Sequence, residues 1–210
     1  MSIRVAITGI GNCASALIQG VEFYKNVKTS EEVPGVMHAY FGDYHIRDID
    51  FVAAFDVNRQ KIGRDLSEAI FTEPNNCARF ADIPRNGVKV QAGPIMDVAA
   101  PHMIGSFYIA EDHQPVDVVE VLREAEADLL VNLLPVGSTQ ATKAYAESSL
   151  EAGCGFVNCI PELIASDSAW AHRFSGEGLP VAGDDIKKPA GRHRAPQGRR
   201  GAVPREGPPR

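Results

Sequence analysis

The sequence predicts an α/β protein built on a doubly wound, mostly parallel sheet. Two observations carry that expectation. The chain opens on an apolar, β-branched run that turns at two glycines and becomes helical, Ile3-Arg4-Val5-Ala6-Ile7-Thr8-Gly9-Ile10-Gly11-Asn12-Cys13-Ala14. From residue 115 onward, strand-like and helix-like segments alternate, a pattern that places parallel strands side by side with helices packed over them.

Ile3–Thr8 reads as the first strand and Asn12–Tyr24 as its helix, with Ala16, Leu17, Gly20 and Val21 on one face. Between them, Gly9 permits a tight turn, and Gly11 lacks the Cβ that would obstruct a close-approaching pyrophosphate. Ala14 fills a third small position, where helix packs on strand. This is the dinucleotide-binding opening of a Rossmann-type domain. The helix that starts near Asn12 points unpaired N–H groups at the phosphates, so NAD or NADP is the first ligand expected.

Residues 25–50 form a polar stretch containing Pro34-Gly35, longer than an ordinary loop and read as an insertion. His45 and Arg47, inside it, read as surface residues. Phe51–Phe55 is a buried second strand ending at Asp56. Arg59–Phe71 carries helical spacing, and Val88–Gln91 is a short strand. A helix over Val116–Ala127 leads to the strand Asp128–Leu134. Pro135-Val136-Gly137-Ser138 then opens a helix through Ala152. Phe156–Ile160 is the next strand, a helix follows around Asp167–Phe174, and Pro180–Gly183 makes the last strand.

An apolar content of 44% in 210 residues suits a globular protein with a real core. No apolar run reaches the roughly 18 residues a membrane helix needs, and the first glycines fall where a strand turns rather than before a cleavage site. Cys13, Cys77, Cys154 and Cys159 form no CxxC pair and have no histidines at zinc spacing, which argues against a structural zinc site. Dispersed thiols suit a reducing compartment, and the chain reads as cytoplasmic.

The net charge of −6 averages two unlike segments. Residues 1–186 carry 13 basic and 26 acidic side chains, whereas 187–210 carry eight Lys/Arg and one acid, with five prolines and four glycines. That composition supports no packed core and reads as a disordered basic tail. It is also what a GC-rich gene yields when read out of frame, and that reading is preferred. Without aromatic interleaving or a folded basic face, no nucleic-acid role is expected. The organisation expected is a nucleotide-binding domain over 1–186, with the insertion at about 25–50, followed by this tail.

Several residues could carry chemistry. Asp56 closes the second strand, where this fold places an acid on the adenosine ribose hydroxyls. It lies 45 residues after Gly11, and the insertion accounts for the excess over the spacing of ~20 found elsewhere. In isolation it would read as a surface cap for the next helix; after the glycine turn and a buried strand the ribose role is preferred. An acid there disfavours a 2′-phosphate, so NAD outranks NADP. Pro135, Gly137 and Ser138 sit in a strand-end loop that either caps the following helix or lines the nicotinamide ribose. Asn158 admits the same two readings. Gly183-Asp184-Asp185-Ile186-Lys187 could orient a polar substrate or a cation, although from spacing alone a solvated turn with a helix cap is the preferred reading. Trp170 reads as a packing anchor.

Taken together, these segments resemble the inositol-1-phosphate synthase family, particularly its shorter bacterial and archaeal branch. The resemblance is carried by Gly9-Ile10-Gly11-Asn12-Cys13-Ala14-Ser15, Pro34-Gly35-Val36-Met37, Tyr44-His45-Ile46-Arg47-Asp48 and Phe51-Val52-Ala53-Ala54-Phe55-Asp56-Val57. It continues through Asn75-Asn76, Asn132-Leu133-Leu134-Pro135-Val136-Gly137-Ser138, Phe156-Val157-Asn158, Ile164-Ala165-Ser166-Asp167 and Gly183-Asp184-Asp185-Ile186-Lys187. The match runs in order over about residues 3–187.

The resemblance implies NAD-dependent isomerisation of glucose 6-phosphate to 1D-myo-inositol 3-phosphate by a homotetramer. A hydride is removed and later returned, and ring closure between the two steps needs lysines or a cation to stabilise oxyanions. It carries Gly9, Gly11, Asn12, Cys13, Asp56, Pro135, Gly137, Ser138 and Asn158 to the cofactor, and Asp184, Asp185 and Lys187 to catalysis. After Lys187 the chain departs from the family, which continues into a catalytic and tetramerisation region. The expectation is therefore an inactive NAD-binding fragment. The alternatives are an NAD-dependent dehydrogenase of a sugar or polyol, and a non-catalytic NAD-binding protein.

Overall fold

The computed structural model describes residues 2–28, 35–36, 38–97, 109–110 and 114–185. Strand β1 (Ile3–Thr8) and helix α1 (Asn12–Tyr24) fall where the sequence predicts them. A hairpin of β2 (Tyr40–Phe41) and β3 (Tyr44–His45), then a 3-10 turn over Ile46–Asp48, lead into β4 (Ile49–Asp56). There follow α2 (Leu66–Ala69), β5 (Val90–Ala92), α3 (Val118–Glu124), β6 (Leu129–Asn132), α4 (Thr139–Ala152), β7 (Gly155–Asn158), α5 (Ser168–Gly176) and β8 (Val181–Ala182).

Six strands form one sheet in the order β5-β4-β1-β6-β7-β8, with every neighbouring pair parallel. With the hairpin strands left aside, this is the 3-2-1-4-5-6 order of doubly wound dinucleotide-binding sheets. Side chains alternate across it. Val5, Ile7, Phe51, Ala54 and Val90 pack against Ala14 and Ile18 of α1 and Leu66 and Ala69 of α2. Ala6, Phe55, Leu130 and Phe156 face Leu122 of α3, Tyr145 and Ala146 of α4, and Phe174 of α5. Burial on both faces is why the strands read as continuous apolar runs. Truncating a fully buried member such as Phe156 or Leu130 to alanine costs about 2–5 kcal/mol. Trp170 packs on the second of these layers, with the Arg173 guanidinium 4.8 Å from its ring centre.

The structure corrects two sequence readings. The helix expected over Arg59–Phe71 is helical only at Leu66–Ala69. Gly63 sits at φ +81, and the segment pairs with the edge of the sheet instead of coiling. Gly63 N donates to Val90 O, Val90 N to Arg64 O and Leu66 N to Val88 O. Apolar residues at helical spacing (Ile62, Leu66, Ala69, Ile70) mimicked one long helix. His45, read as a surface residue, is 3% exposed. Its Nδ1 accepts from Arg47 N and its Nε2 donates to Val27 O at 2.8 Å, tying the late part of the insertion to its start just beyond α1. Pro34, Met37, His102, His113, Lys187 and the basic tail lie outside the described residues.

Candidate functional site

A cavity of about 670 Å³ opens at the carboxyl ends of β1, β4 and β6, where the strand order reverses and ligands of this architecture bind. Gly9 sets its floor at φ +84. A Cβ on Gly9 would lie 2.7 Å from the Leu133 carbonyl carbon, so the glycine turn and the β6–α4 loop meet at the switch point. A Cβ on Gly11 would meet nothing within 4 Å. No side chain caps α1, and no acid stands in its first turn, so its first N–H groups are left for an anion.

The turn between the two glycines is gripped at both ends. Ile10 N donates to Asp56 Oδ2 at 2.8 Å, and the other oxygen of Asp56 accepts from Asn58 N at 2.8 Å. Ile10 O accepts from Lys61 Nζ at 2.6 Å and from Asn75 Nδ2 at 3.0 Å, and Lys61 Nζ also donates to Asn75 Oδ1 at 3.0 Å. Lys61 is buried, and that burial lowers its pKa, with Asp56 pulling the other way. Asn12 reaches sideways: its Oδ1 accepts from Asn76 N and Cys77 N, and its Nδ2 donates to Asn76 Oδ1. Buried Gln19 clamps the same loop through Ala78 O and Phe80 N.

The far wall is the β6–α4 loop, with Pro135, Gly137 at φ +97, and Ser138. Ser138 holds the N-cap position of α4, yet its hydroxyl makes no capping bond. That task falls to Asp97, which accepts from Gln140 N and Ala141 N. Ile95, Met96, Val136 and Ile160 add apolar lining.

Of the residues singled out in the sequence, Gly9, Gly11, Asn12, Cys13, Asp56, Pro135, Gly137, Ser138 and Asp185 all line this one cavity. Asn158 and Asp184 do not line it. Asn158 is 1% exposed; it accepts from Asn132 Nδ2, and its own amide serves Ile160 O, Glu162 O and Asp184 Oδ1. The Asp184 carboxylate also accepts from the N–H groups of Ile164, Ala165 and Ser166. Burial pushes that carboxyl up, but the bonds from Asn158, Ser166, Ala165 and Ile164 outweigh it and hold its pKa below the ordinary value. Both residues shape the loop behind the site. Cys159 lines the cavity with Cys13, and its thiol is pushed up to about 11 by burial first, then by Cys13 and Asp185.

Sequence reasoning missed Lys61, Asn75 and Asp97 as site-builders. Lys61 was hidden by its place in the helix expected over Arg59–Phe71. Asp97 acts on a helix that starts more than forty residues later, a link no local pattern carries. Among the described residues, no cluster of three or more His, Cys, Asp or Glu stands close enough to hold a metal ion, and no described helix is long and apolar enough to cross a membrane.

The donor set fits a dinucleotide. The uncapped start of α1, the empty space beside Gly11 and a carboxylate at the end of β4 with acceptor capacity to spare are the three contacts such a ligand needs. The volume suits a ligand of nucleotide size.

An all-parallel sheet in this order, with a glycine-turn cavity at its switch point, defines a Rossmann-like α/β protein. The chain is 52% identical over 189 residues to the inositol-3-phosphate synthase of Mycolicibacterium smegmatis, covering 90% of this chain and 52% of that protein. It is 50% identical over 190 residues to the inositol-3-phosphate synthase of Corynebacterium glutamicum, again covering 90% and 52%. Among solved structures, that of Ari2 superposes with a TM-score of 0.74 at 36% identity, covering 89% of this chain and 55% of that one. No protein-family model matches the chain. Across nine-tenths of its length, then, the chain is homologous to inositol-3-phosphate synthases. It spans about half the length of the curated relatives it matches.

Proposed function

We infer that this chain carries the NAD-binding part of an inositol-phosphate synthase, an isomerase acting on glucose 6-phosphate to give 1D-myo-inositol 3-phosphate. The observation that carries the reading is the pairing of Gly11, open to a ligand, with Asp56 at the end of β4 in one cavity. Homology to the named synthases supplies the reaction class.

In this reading the α1 N-terminus receives the pyrophosphate, with Gly11 allowing its close approach. Asp56 accepts the ribose 2′ and 3′ hydroxyls and repels a 2′-phosphate. The Pro135–Ser138 loop and Asp185 border the nicotinamide end. NAD, when bound, supplies a hydride acceptor that is restored within the cycle, so the isomerisation has no net redox change. Asp184 and Asn158 act one layer back, by holding the loop beside Asp185.

These residues bind NAD in the cytoplasm without completing the reaction. The cavity wall supports this: among the described residues it offers one lysine, already engaged with Ile10 and Asn75.

Calorimetric titration with NAD and NADP tests the reading. NAD binding is expected, NADP binding about tenfold weaker or worse, and loss of the preference in Asp56→Ala. Equal affinity for both ligands in the unaltered chain would overturn the role of Asp56. Incubation with NAD and glucose 6-phosphate, followed by phosphorus NMR, is expected to yield no inositol phosphate. Net NADH formation from a sugar or polyol would point instead to a dehydrogenase.

A further inference from the structure

Among the described residues lining the cavity, Lys61 is the one cation, beside three carboxylates, Asp56, Asp97 and Asp185. The residue is 3% exposed. An ammonium group held away from water is costly unless something compensates it. The hydrogen-bond partners that Lys61 has are neutral, the Ile10 carbonyl and the Asn75 side-chain oxygen. A methionine or leucine would fill the same volume at lower cost, so a lysine here calls for a reason beyond packing.

Elementary peptide geometry supplies one. In a planar trans peptide, the carbonyl and the N–H that follows it point opposite ways. Lys61 and Asn75 hold the Ile10 carbonyl on their side, so the Gly11 N–H is aimed away from them. Asp56 holds the Ile10 N–H, which fixes the preceding peptide as well. Both peptides flanking Ile10 are thus set before any ligand arrives, at a point where an added Cβ on Gly11 would find only open space.

Charge makes the second half of the case. A pyrophosphate entering this cavity meets Asp56 at the very turn that must receive it. Lys61 sits on the other end of the same residue, Ile10, and offsets that carboxylate. We propose that Lys61 is the positioning residue of this dinucleotide site, orienting the Gly11 peptide and providing the positive charge against which the pyrophosphate binds. The proposal rests on the dinucleotide reading given above.

The test titrates NAD, ADP and adenosine into the full chain and into Lys61→Met, Lys61→Gln and Lys61→Arg, with thermal unfolding recorded for each. Lys61→Met is expected to weaken NAD and ADP by about tenfold or more, the scale of a lost charge-assisted contact. Adenosine, which carries no phosphate, is expected to change less than about twofold. Gln keeps a donor for Ile10 but no charge and is expected to fall between Met and the unaltered chain, while Arg restores binding in part. NAD affinity within about twofold in Lys61→Met would overturn the proposal. Equal losses for all three ligands would do the same, since they describe a damaged wall and not a lost charge. Failure of all three variants to fold would make Lys61 a core-building residue and equally overturn it. Absence of NAD and ADP binding by the unaltered chain would remove the dinucleotide reading itself, an outcome read before any variant is made.

Discussion

The Asp97 carboxylate accepts the backbone N–H of Ala141 at 2.8 Å. A loop that follows an edge strand thereby caps a helix that begins on the far side of the cavity, and the two walls are fastened together. Capping bonds of this kind are worth about 0.5–2 kcal/mol. Asp97→Ala is expected to lose about 1 kcal/mol of folding stability, and Ser138→Ala, whose hydroxyl caps nothing, is expected to stay neutral. Urea unfolding of the two variants reads the difference, and the opposite ranking would return the cap to Ser138.

The two glycines of the turn are required for different reasons, and alanine separates them. Gly9→Ala places a Cβ 2.7 Å from the Leu133 backbone at a φ of +84, strain that costs about 1–3 kcal/mol. Gly11→Ala meets no protein atom within 4 Å and is expected to change stability by less than about 0.5 kcal/mol. Its effect should be confined to dinucleotide affinity. Thermal unfolding and NAD titration, run on both variants, give the two-by-two comparison.

Asp184 makes stability depend on pH in a definite direction. Its carboxyl is held below the ordinary value in the folded chain, because its hydrogen-bond donors outweigh the cost of burial. In acid the unfolded chain therefore binds its proton first. The stabilisation is complete above about pH 4 and is lost as pH falls through the depressed value. Asp184→Asn turns an NH₂ group toward backbone donors and is expected to cost about 1–3 kcal/mol at neutral pH. Its stability should also vary less between pH 4 and pH 2 than that of the unaltered chain, as chemical unfolding at a series of pH values would record.

Cys13 and Cys159 line the same cavity but differ in exposure. Cys13 is exposed at the start of α1, whereas the Cys159 thiol is half-buried and pushed up to about 11. A short pulse of maleimide at pH 8 is expected to modify Cys13 and spare Cys159. Bound NAD should slow the Cys13 reaction. Peptide mapping by mass spectrometry measures both, and faster labelling of Cys159 would contradict the burial seen here.

Much of this fold is legible in one dimension because its signals are local. The run Ile3–Thr8, the glycines and the helix to Tyr24 declare themselves through β-branching, turn chemistry and spacing, and the structure keeps those bounds. Asp56 was legible as a cavity residue because a buried strand has to end somewhere, and in this sheet the last residue of β4 lines the cavity. What escaped detection depended on contacts between distant segments. Residues 59–71 carry helical spacing, but residues 63–66 pair with residues 88–90, a preference set by the sheet edge. Asp184 beside Asp185 looks like a pair of equals in the sequence. Only the fold turns one into the loop behind the site and the other onto the cavity wall.

The position of β1 in the sheet has a consequence in time. Arg4 and Asp128, which bond to each other where β1 and β6 begin to pair, stand 124 positions apart. A ribosome adding ~5–20 residues per second needs on the order of ten seconds to deliver the second after the first. Throughout that interval one edge of the central strand has no neighbour, and its apolar side chains wait half covered. The heart of the molecule is therefore made well before the strand that completes it.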